Sequence, residues 1–225
     1  MKVAIVESGR NLEMKKIISK YFKIVKNDPD FVISIGGDGT ILASERLYPS
    51  IPKLTIKTSQ ICRKCDYSPN RLEIILKMLN DGKYELKKEM KLEAKFKGKR
   101  IIALNEIQLH NENPTVAIRF DVYADKMYRN VIGDGVIVST PFGSTGYFKS
   151  ITGKSFKKGI GIAFNNSYNF PRKPIIIDEK SKIKIKLNRE SGLLLRDNDQ
   201  NFVRVKENQK IYIKKARKPA FFVNF

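Results

Sequence analysis

Residues 31–40 read Phe-Val-Ile-Ser-Ile-Gly-Gly-Asp-Gly-Thr, and no other stretch constrains the chain as tightly. Phe31 to Ile35 is a short apolar run rich in β-branched residues, the pattern of a buried strand. It meets a turn holding Gly36, Gly37 and Gly39, and Ile41 to Leu47 beyond it can start a helix. A strand that feeds a helix through such a turn brings backbone amides and a helix N-terminus to one point, which favours phosphate. Glycines allow positive φ and close approach of a ligand. Gly36, Gly37, Gly39 and Thr40 are therefore expected to line a phosphate. Asp38 is the informative residue, because a carboxylate in an anion cradle repels phosphate unless it serves a hydroxyl or a magnesium ion. It suits an acceptor that orients a nucleophilic hydroxyl, since phosphoryl transfer depends more on positioning than on early proton removal. For this motif alone, an Asp-capped turn without a ligand is the competing reading.

The surroundings of the turn set the fold class. Lys2 to Val6 and Pro52 to Ile56 read as strands, and Leu12 to Phe22 carries helical apolar spacing. Leu72, Ile75, Leu76 and Leu79 repeat that spacing and end at Asp81-Gly82. Strand and helix signals that alternate in this way predict an α/β, Rossmann-like domain with a parallel sheet over residues 1–84. Beyond it the texture changes. Leu92–Phe96, Val116–Tyr123, Gly135–Ser139, Ile175–Ile177, Lys182–Leu187 and Gly192–Leu195 are strand-like and separated by turn residues. The only helix expected there is a short one after Gly143. Residues 85–215 are thus predicted to form a mainly β domain. The tail 216–225, with Phe221, Phe222, Val223 and Phe225, is too apolar to be free and is expected to pack back on the first domain.

Charge narrows the partners. Lys and Arg number 44 against 23 Asp and Glu, a net charge of +21, which implies an anionic partner. Lys182–Leu187 and Lys210–Lys215 alternate cation with neutral residue, so much of that charge is the solvated face of strands. Apart from Tyr212 these strands lack interleaved aromatics, which counts against a nucleic-acid-binding role. No apolar run reaches the roughly 18 residues of a membrane helix, and Met1–Glu7 reads as a first strand rather than a signal peptide. A cytoplasmic protein with no membrane partner is expected. Abundant Lys and Ile without Trp is the bias of a heat-adapted source. Cys62 and Cys65 form a lone CxxC, and with His110 the only histidine a structural zinc site is short of ligands. They read as incidental thiols, or as a disulfide if the source is hyperthermophilic.

Two further segments stand out. Ala103-Leu104-Asn105-Glu106 follows the basic stretch Lys97-Gly98-Lys99-Arg100, and Gly133-Asp134-Gly135 opens a run that continues to Thr140-Pro141-Phe142-Gly143-Ser144-Thr145-Gly146-Tyr147. Asn105 offers donor and acceptor while Glu106 offers acceptors, a pair suited to ribose hydroxyls. Thr145 and Ser150 can hydrogen-bond a purine edge, and Tyr147 can stack on its face. An exposed loop and a core aromatic are the ordinary readings of these pieces taken singly. GGDGT alone resembles several kinases that act on hydroxyls, lipid and sugar kinases among them. Together with Asn-Glu and the GDG…TPxGST segment, it resembles the NAD kinase family over nearly the whole chain.

That resemblance implies an N-terminal α/β domain, a C-terminal β-sandwich and a site in the cleft between them. It implies Mg2+-dependent transfer from ATP or polyphosphate to the 2′-hydroxyl of NAD's adenosine ribose, giving NADP. Asp38 becomes the catalytic acceptor. Gly39, Asn105, Glu106, Asp134, Thr145, Gly146, Tyr147 and Ser150 become NAD contacts, and no residue is assigned as a direct metal ligand. Asp134 is expected to reach the nicotinamide end from a neighbouring subunit of a dimer or tetramer. Departures are confined to a few places. Thr55–Lys64 lacks the family's glycine–asparagine–phenylalanine pattern, Phe142 and Gly146 replace smaller or alanine residues, and Thr152-Gly153-Lys154 replaces an alanine–glycine–glycine run. The family's late Asp-Gly turn has two candidates, Asp197-Asn198 and Asp199-Gln200. Asp197 is preferred, on the expectation that Asn198 adopts the αL conformation.

Overall fold

The structure is a computed structural model that describes residues 1–60, 62–170 and 173–225. The chain divides into two compact units, Met1–Glu89 with Pro219–Phe225, and Met90–Lys218.

In the first unit, β1 (Lys2–Glu7), α1 (Leu12–Tyr21), β2 (Lys23–Ile24), β3 (Phe31–Gly36) and α2 (Asp38–Leu47) follow in order. β4 (Lys53–Lys57), α3 (Leu72–Asn80) and β5 (Glu85–Glu89) come next. Every residue of β3 is buried, as a central strand of a two-sided sheet requires. Phe31, Ile33 and Ile35 share a core with Ile18 of α1 and with Leu72, Ile75, Leu76 and Leu79 of α3. The alternate residues of β3 point to the other face of the sheet, and α2 packs on β3 and β1. The sheet order is β2-β1-β3-β4, then the closing strand Ala220–Asn224, then β5. The closing strand runs parallel to β4 and antiparallel to β5, with Phe222 beside both Lys53 and Lys87. Its end is pinned by the Phe225 amide, which donates to the Tyr67 hydroxyl at 3.1 Å, and by contact of the two rings. Glu85–Glu89 belongs to this unit because the closing strand gives it a partner along its whole length.

The helix after the glycine turn starts at Asp38, three residues before the expected Ile41. Gly37 is its extended N-cap, and an acidic residue in the first turn is favoured by the helix dipole.

The second unit contains β6 (Leu92–Phe96), β7 (Lys99–Ala103), β8 (Glu106–Asn111), β9 (Ile118–Tyr123), β10 (Met127–Gly133) and β11 (Gly135–Ser139). α4 (Tyr147–Thr152) and β12 (Ile160–Asn165) follow, then β13 (Ile175–Ile177) and β14 (Ile183–Arg189). β15 (Gly192–Arg196), β16 (Val203–Val205) and β17 (Lys210–Lys215) complete it. Two antiparallel sheets result, β10-β9-β14-β17-β6-β7 and β13-β12-β11-β8-β15-β16. They share one core, to which Phe120, Val122, Ile185, Leu187 and Ile213 contribute from the first and Ile107, Leu109, Val136, Val138 and Ile162 from the second. In β14, Ile183, Ile185 and Leu187 are buried while Lys184 and Lys186 are not. The alternation of cation and apolar residue is the outer and inner face of one strand.

Candidate functional site

Candidate residues form one group in each unit. In the first unit, α2 presents the Asp38 carboxylate to the segment that follows β4. Its Oδ1 accepts the backbone amides of Arg63 at 3.1 Å and Lys64 at 3.0 Å. Its Oδ2 receives only the longer Arg63 amide contact, 3.4 Å, among the described residues. Cys62 and Cys65 are joined in a disulfide. Cys62 Sγ lies 3.1 Å from Asp38 Oδ1, and Cys65 Sγ lies 3.4 Å from the Gly36 carbonyl oxygen. The side-chain ligand atoms of Asp38, Cys62 and Cys65 all lie within 4.8 Å of one another. With the sulfurs bonded to each other they offer no thiolate, so this cluster is not a thiolate metal site in the state described.

Thr58 and Ser59 donate to the same Gly36 carbonyl at 3.0 and 3.4 Å, which ties the start of the segment to the glycine turn. Arg63 and Lys64, in the segment that lacks the family's glycine pattern, therefore lie directly against Asp38. Burial pushes the Lys64 ammonium down in pKa, against the opposing charges of Glu89 and Asp38. Burial likewise pushes the Asp66 carboxyl up, opposed by the Thr55 hydroxyl at 3.1 Å.

The glycines of the turn do not use the positive φ open to them. Gly36, Gly37 and Gly39 are absent from the residues with positive φ. Gly36 is needed for closeness instead, since a Cβ there would overlap Thr40 Oγ1 and crowd Ser8 Oγ. Thr40 itself is buried and packed against the turn.

In the second unit, Asn105 and Glu106 sit where the chain enters β8. Asp197, in the turn after β15, holds them from the backbone. Its Oδ2 accepts the Leu104 amide at 3.0 Å, and its Oδ1 accepts those of Asn105 and Glu106 at 2.7 and 3.2 Å. Asp197 adopts the αL conformation, φ 46°, and Asn198 does not, which reverses the expectation for that turn. Asp199 does something different: its Oδ2 accepts from the Arg196 Nε at 2.8 Å and its Oδ1 from Asn201, bonds that keep its carboxyl low in pKa despite desolvation.

Glu106 is 5% exposed. Burial, and then the charge of Asp197, push its pKa up to about 8, opposed only in part by the Gln108 amide at 3.4 Å. Glu106 Oε2 and Asn105 Oδ1 are buried without a hydrogen-bond partner among the described residues. Unmatched buried oxygens are costly, and two on adjacent residues mark a place where donors from a ligand would be welcome.

The Thr-Pro-Phe-Gly turn cradles Asn105. Thr140 donates its amide to the Asn105 carbonyl at 2.8 Å and its hydroxyl to the Leu104 carbonyl at 2.7 Å. The Thr140 hydroxyl also accepts the Gly143 amide at 2.9 Å. A Cβ on Gly143 would overlap the Asn105 carbonyl, so only glycine fits. The Tyr147 hydroxyl accepts from the Asn165 amide group at 3.0 Å, and burial pushes its pKa up. Asn165, at the end of β12, also approaches His110 Nε2 at 3.4 Å. Asn165 was not expected, and a polar residue closing the apolar run Ile160–Phe164 was the available signal. Ser150 turns its hydroxyl back to the Tyr147 carbonyl at 2.7 Å within α4, so it does not aim at the Asn105 group. Gly146 lies near the Asn105 side chain, and Thr145 in the preceding 3-10 turn begins the approach to Tyr147.

Asp134 lies between two glycines that pack tightly. A Cβ on Gly135, whose φ is 153°, would overlap the Leu109 carbonyl, and one on Gly133 would crowd that of Asn165. The Asp134 backbone pairs with Asn111 and Asn165, and its carboxylate accepts the Asn166 side-chain amide at 2.7 Å.

The family described as ATP-NAD kinase C-terminal domain matches residues 104–225. An NAD kinase of Thermococcus gammatolerans is 34% identical over 206 residues, covering 88% of this chain and 74% of that protein. A bifunctional NADP phosphatase/NAD kinase of Methanocaldococcus jannaschii is 31% identical over 203 residues. That match takes in 85% of this chain but only 35% of the bifunctional protein's length. In fold, the chain is similar to the crystal structure of an NAD kinase from Archaeoglobus fulgidus in complex with ATP. The TM-score is 0.83 at 23% identity, covering 99% of this chain and 93% of that one.

Proposed function

Since this chain belongs to the NAD kinase family, we propose that it phosphorylates the 2′-hydroxyl of NAD's adenosine ribose, giving NADP, with ATP or polyphosphate as donor. The observation that carries the reading is the buried, unmatched pair Asn105 Oδ1 and Glu106 Oε2 beside a tyrosine. Ribose hydroxyls both donate and accept, so they can match the Asn105 oxygen and either protonation state of the Glu106 carboxyl. Asp38 serves as the acceptor that orients the attacking hydroxyl and takes its proton late. Tyr147 and the Thr145–Gly146 backbone serve the adenosine, while Gly36, Gly37, Gly39 and Thr40 serve the phosphates.

Mg2+ would supply charge neutralisation on the transferring phosphoryl group. Asp38 Oδ1 already takes two amide hydrogen bonds, so the ion fits best when carried by the donor's own phosphates. Self-association as a dimer or tetramer, with Asp134 of one subunit reaching the nicotinamide side in its neighbour, belongs to the same proposal, as does a cytoplasmic setting. No described helix is long and apolar enough to cross a membrane.

Purified protein incubated with NAD, Mg2+ and either ATP or polyphosphate should form NADP, read with an NADP-specific dehydrogenase. Asp38→Asn should lower turnover by about a hundredfold or more while leaving the Kd for NAD within about threefold, as expected for a group whose effect is exerted in the transition state. Phosphorylation of a lipid or sugar hydroxyl without NADP formation would replace the assignment, and near-normal turnover by the variant would remove Asp38 from the mechanism.

A further inference from the structure

We propose that Cys62 and Cys65 are positioning residues for Asp38, and that their disulfide is a brace whose reduction to the dithiol lowers turnover. The brace closes a four-residue loop in which the two inner residues, Arg63 and Lys64, both direct their backbone amides at Asp38 Oδ1. The sulfur of Cys62 contacts the same oxygen, and that of Cys65 contacts the Gly36 carbonyl at the other side of the turn. One carboxylate oxygen is thereby held by two amide hydrogen bonds, with the Cys62 sulfur abutting it, while Oδ2 keeps its acceptor capacity for a hydroxyl.

The ends of the segment are fixed independently. Thr58 donates to Gly36, Lys57 donates to the Tyr67 carbonyl at 2.7 Å, and Tyr67 donates to Thr55 at 3.3 Å. The stretch that carries the Asp38 contacts lies between those anchors, and the disulfide is the covalent tie within it. Opening it returns backbone freedom to Arg63 and Lys64, which competes with the hydrogen bonds that their amides make to Asp38. Arg63, between the two cysteines, is exposed, so a reductant can approach the loop.

The exchange balances without other groups. A dithiol reductant attacks the disulfide, delivers two electrons and two protons to give two protein thiols, and leaves as its own cyclic disulfide. A disulfide oxidant reverses the step.

The kinetic half of the test rests on the NAD kinase reading, and the structural half does not. Full-length protein is poised with reduced or oxidised dithiothreitol, and its free thiols are counted by alkylation and mass. Hydrogen exchange at Arg63 and Lys64 and steady-state kinetics with NAD and ATP are then measured on the zero-thiol and two-thiol forms. In the disulfide form those two amides should exchange at least about tenfold more slowly. Its kcat should be about ten- to a hundredfold higher, the scale of a small misplacement of a reacting group, with KM for NAD little changed. The double variant Cys62→Ser/Cys65→Ser should match the reduced form and ignore dithiothreitol.

Equal exchange at the two amides in both forms overturns the proposal, as does a double variant that still responds to reductant. Equal turnover in both forms also overturns it and leaves the NAD kinase reading intact. Redox-dependent exchange in a protein that makes no NADP would sink that reading and keep the brace on Asp38.

Discussion

Replacing Glu106 with Gln should remove a pH dependence of stability that the fold builds in. The native carboxyl is held up at about 8, against an ordinary value of 4.5, by burial and by the charge of Asp197. Between those two values the unfolded chain has lost a proton that the native protein keeps. Stability therefore falls as pH rises through that window and levels off above the native value. Each proton so linked is worth about 1.4 kcal/mol per pH unit, which integrates to about 3 kcal/mol between pH 5 and pH 8. Gln is a neutral isostere that can still accept the Gln108 hydrogen bond. The variant should match the wild type at pH 5 and exceed it by about 3 kcal/mol at pH 8. Guanidinium denaturation of ligand-free protein at pH 5, 6, 7 and 8 measures this, and subtracting the two curves cancels titrations that are not coupled to Glu106. A difference below about 1 kcal/mol at pH 8, or one that grows toward acid, would refute the reasoning.

Three other perturbations have defined outcomes. Gly143→Ala places a methyl into the Asn105 carbonyl and should cost about 1–3 kcal/mol of stability as an overpacked site, with weaker NAD binding by calorimetry. Lys53→Met should destabilise by about 3–5 kcal/mol, because Lys53 is fully buried and paired with buried Glu45. Adding Glu45→Leu should recover most of that loss, and a double variant no better than the single one would count against a charge effect. Asp197→Ala removes the acceptor of three amides and should cost at least about 2 kcal/mol, with KM for NAD raised more than kcat is lowered.

The parts legible in the sequence were those where local pattern and tertiary role coincide. The apolar run of β3 and the lysine-alternating β14 and β17 read directly, because burial on two faces or on one leaves a residue-by-residue imprint. β7 and β8 were not read, since Lys99-Arg100 and Glu106-Gln108-His110 look like surface. Glu106 and Gln108 are nonetheless buried between β11 and β15, a placement only neighbouring strands decide. The start of α2 was missed because Asp38-Gly39-Thr40 has turn composition, whereas Asp38 in fact occupies the first helical turn. Asp38, Asn105 and Glu106 were legible as chemistry. What holds them was not, because Asp197 is 92 residues from Asn105 in the chain and Arg63 is 25 residues from Asp38.

The closing strand sets an order of events in synthesis. Residues 220–224 sit inside the first sheet, yet the ribosome makes them after the whole of the second unit. Until then the Lys53 end of β4 has an open edge and β5 lacks the neighbour that supplies its ladder, so the first sheet is a template waiting for its sixth strand. The second unit is continuous and can fold as it emerges, whereas the unit carrying Asp38 becomes complete only with the last strand. A growing chain is thus kept from presenting a finished glycine-turn domain before the domain carrying Asn105 and Glu106 has been made.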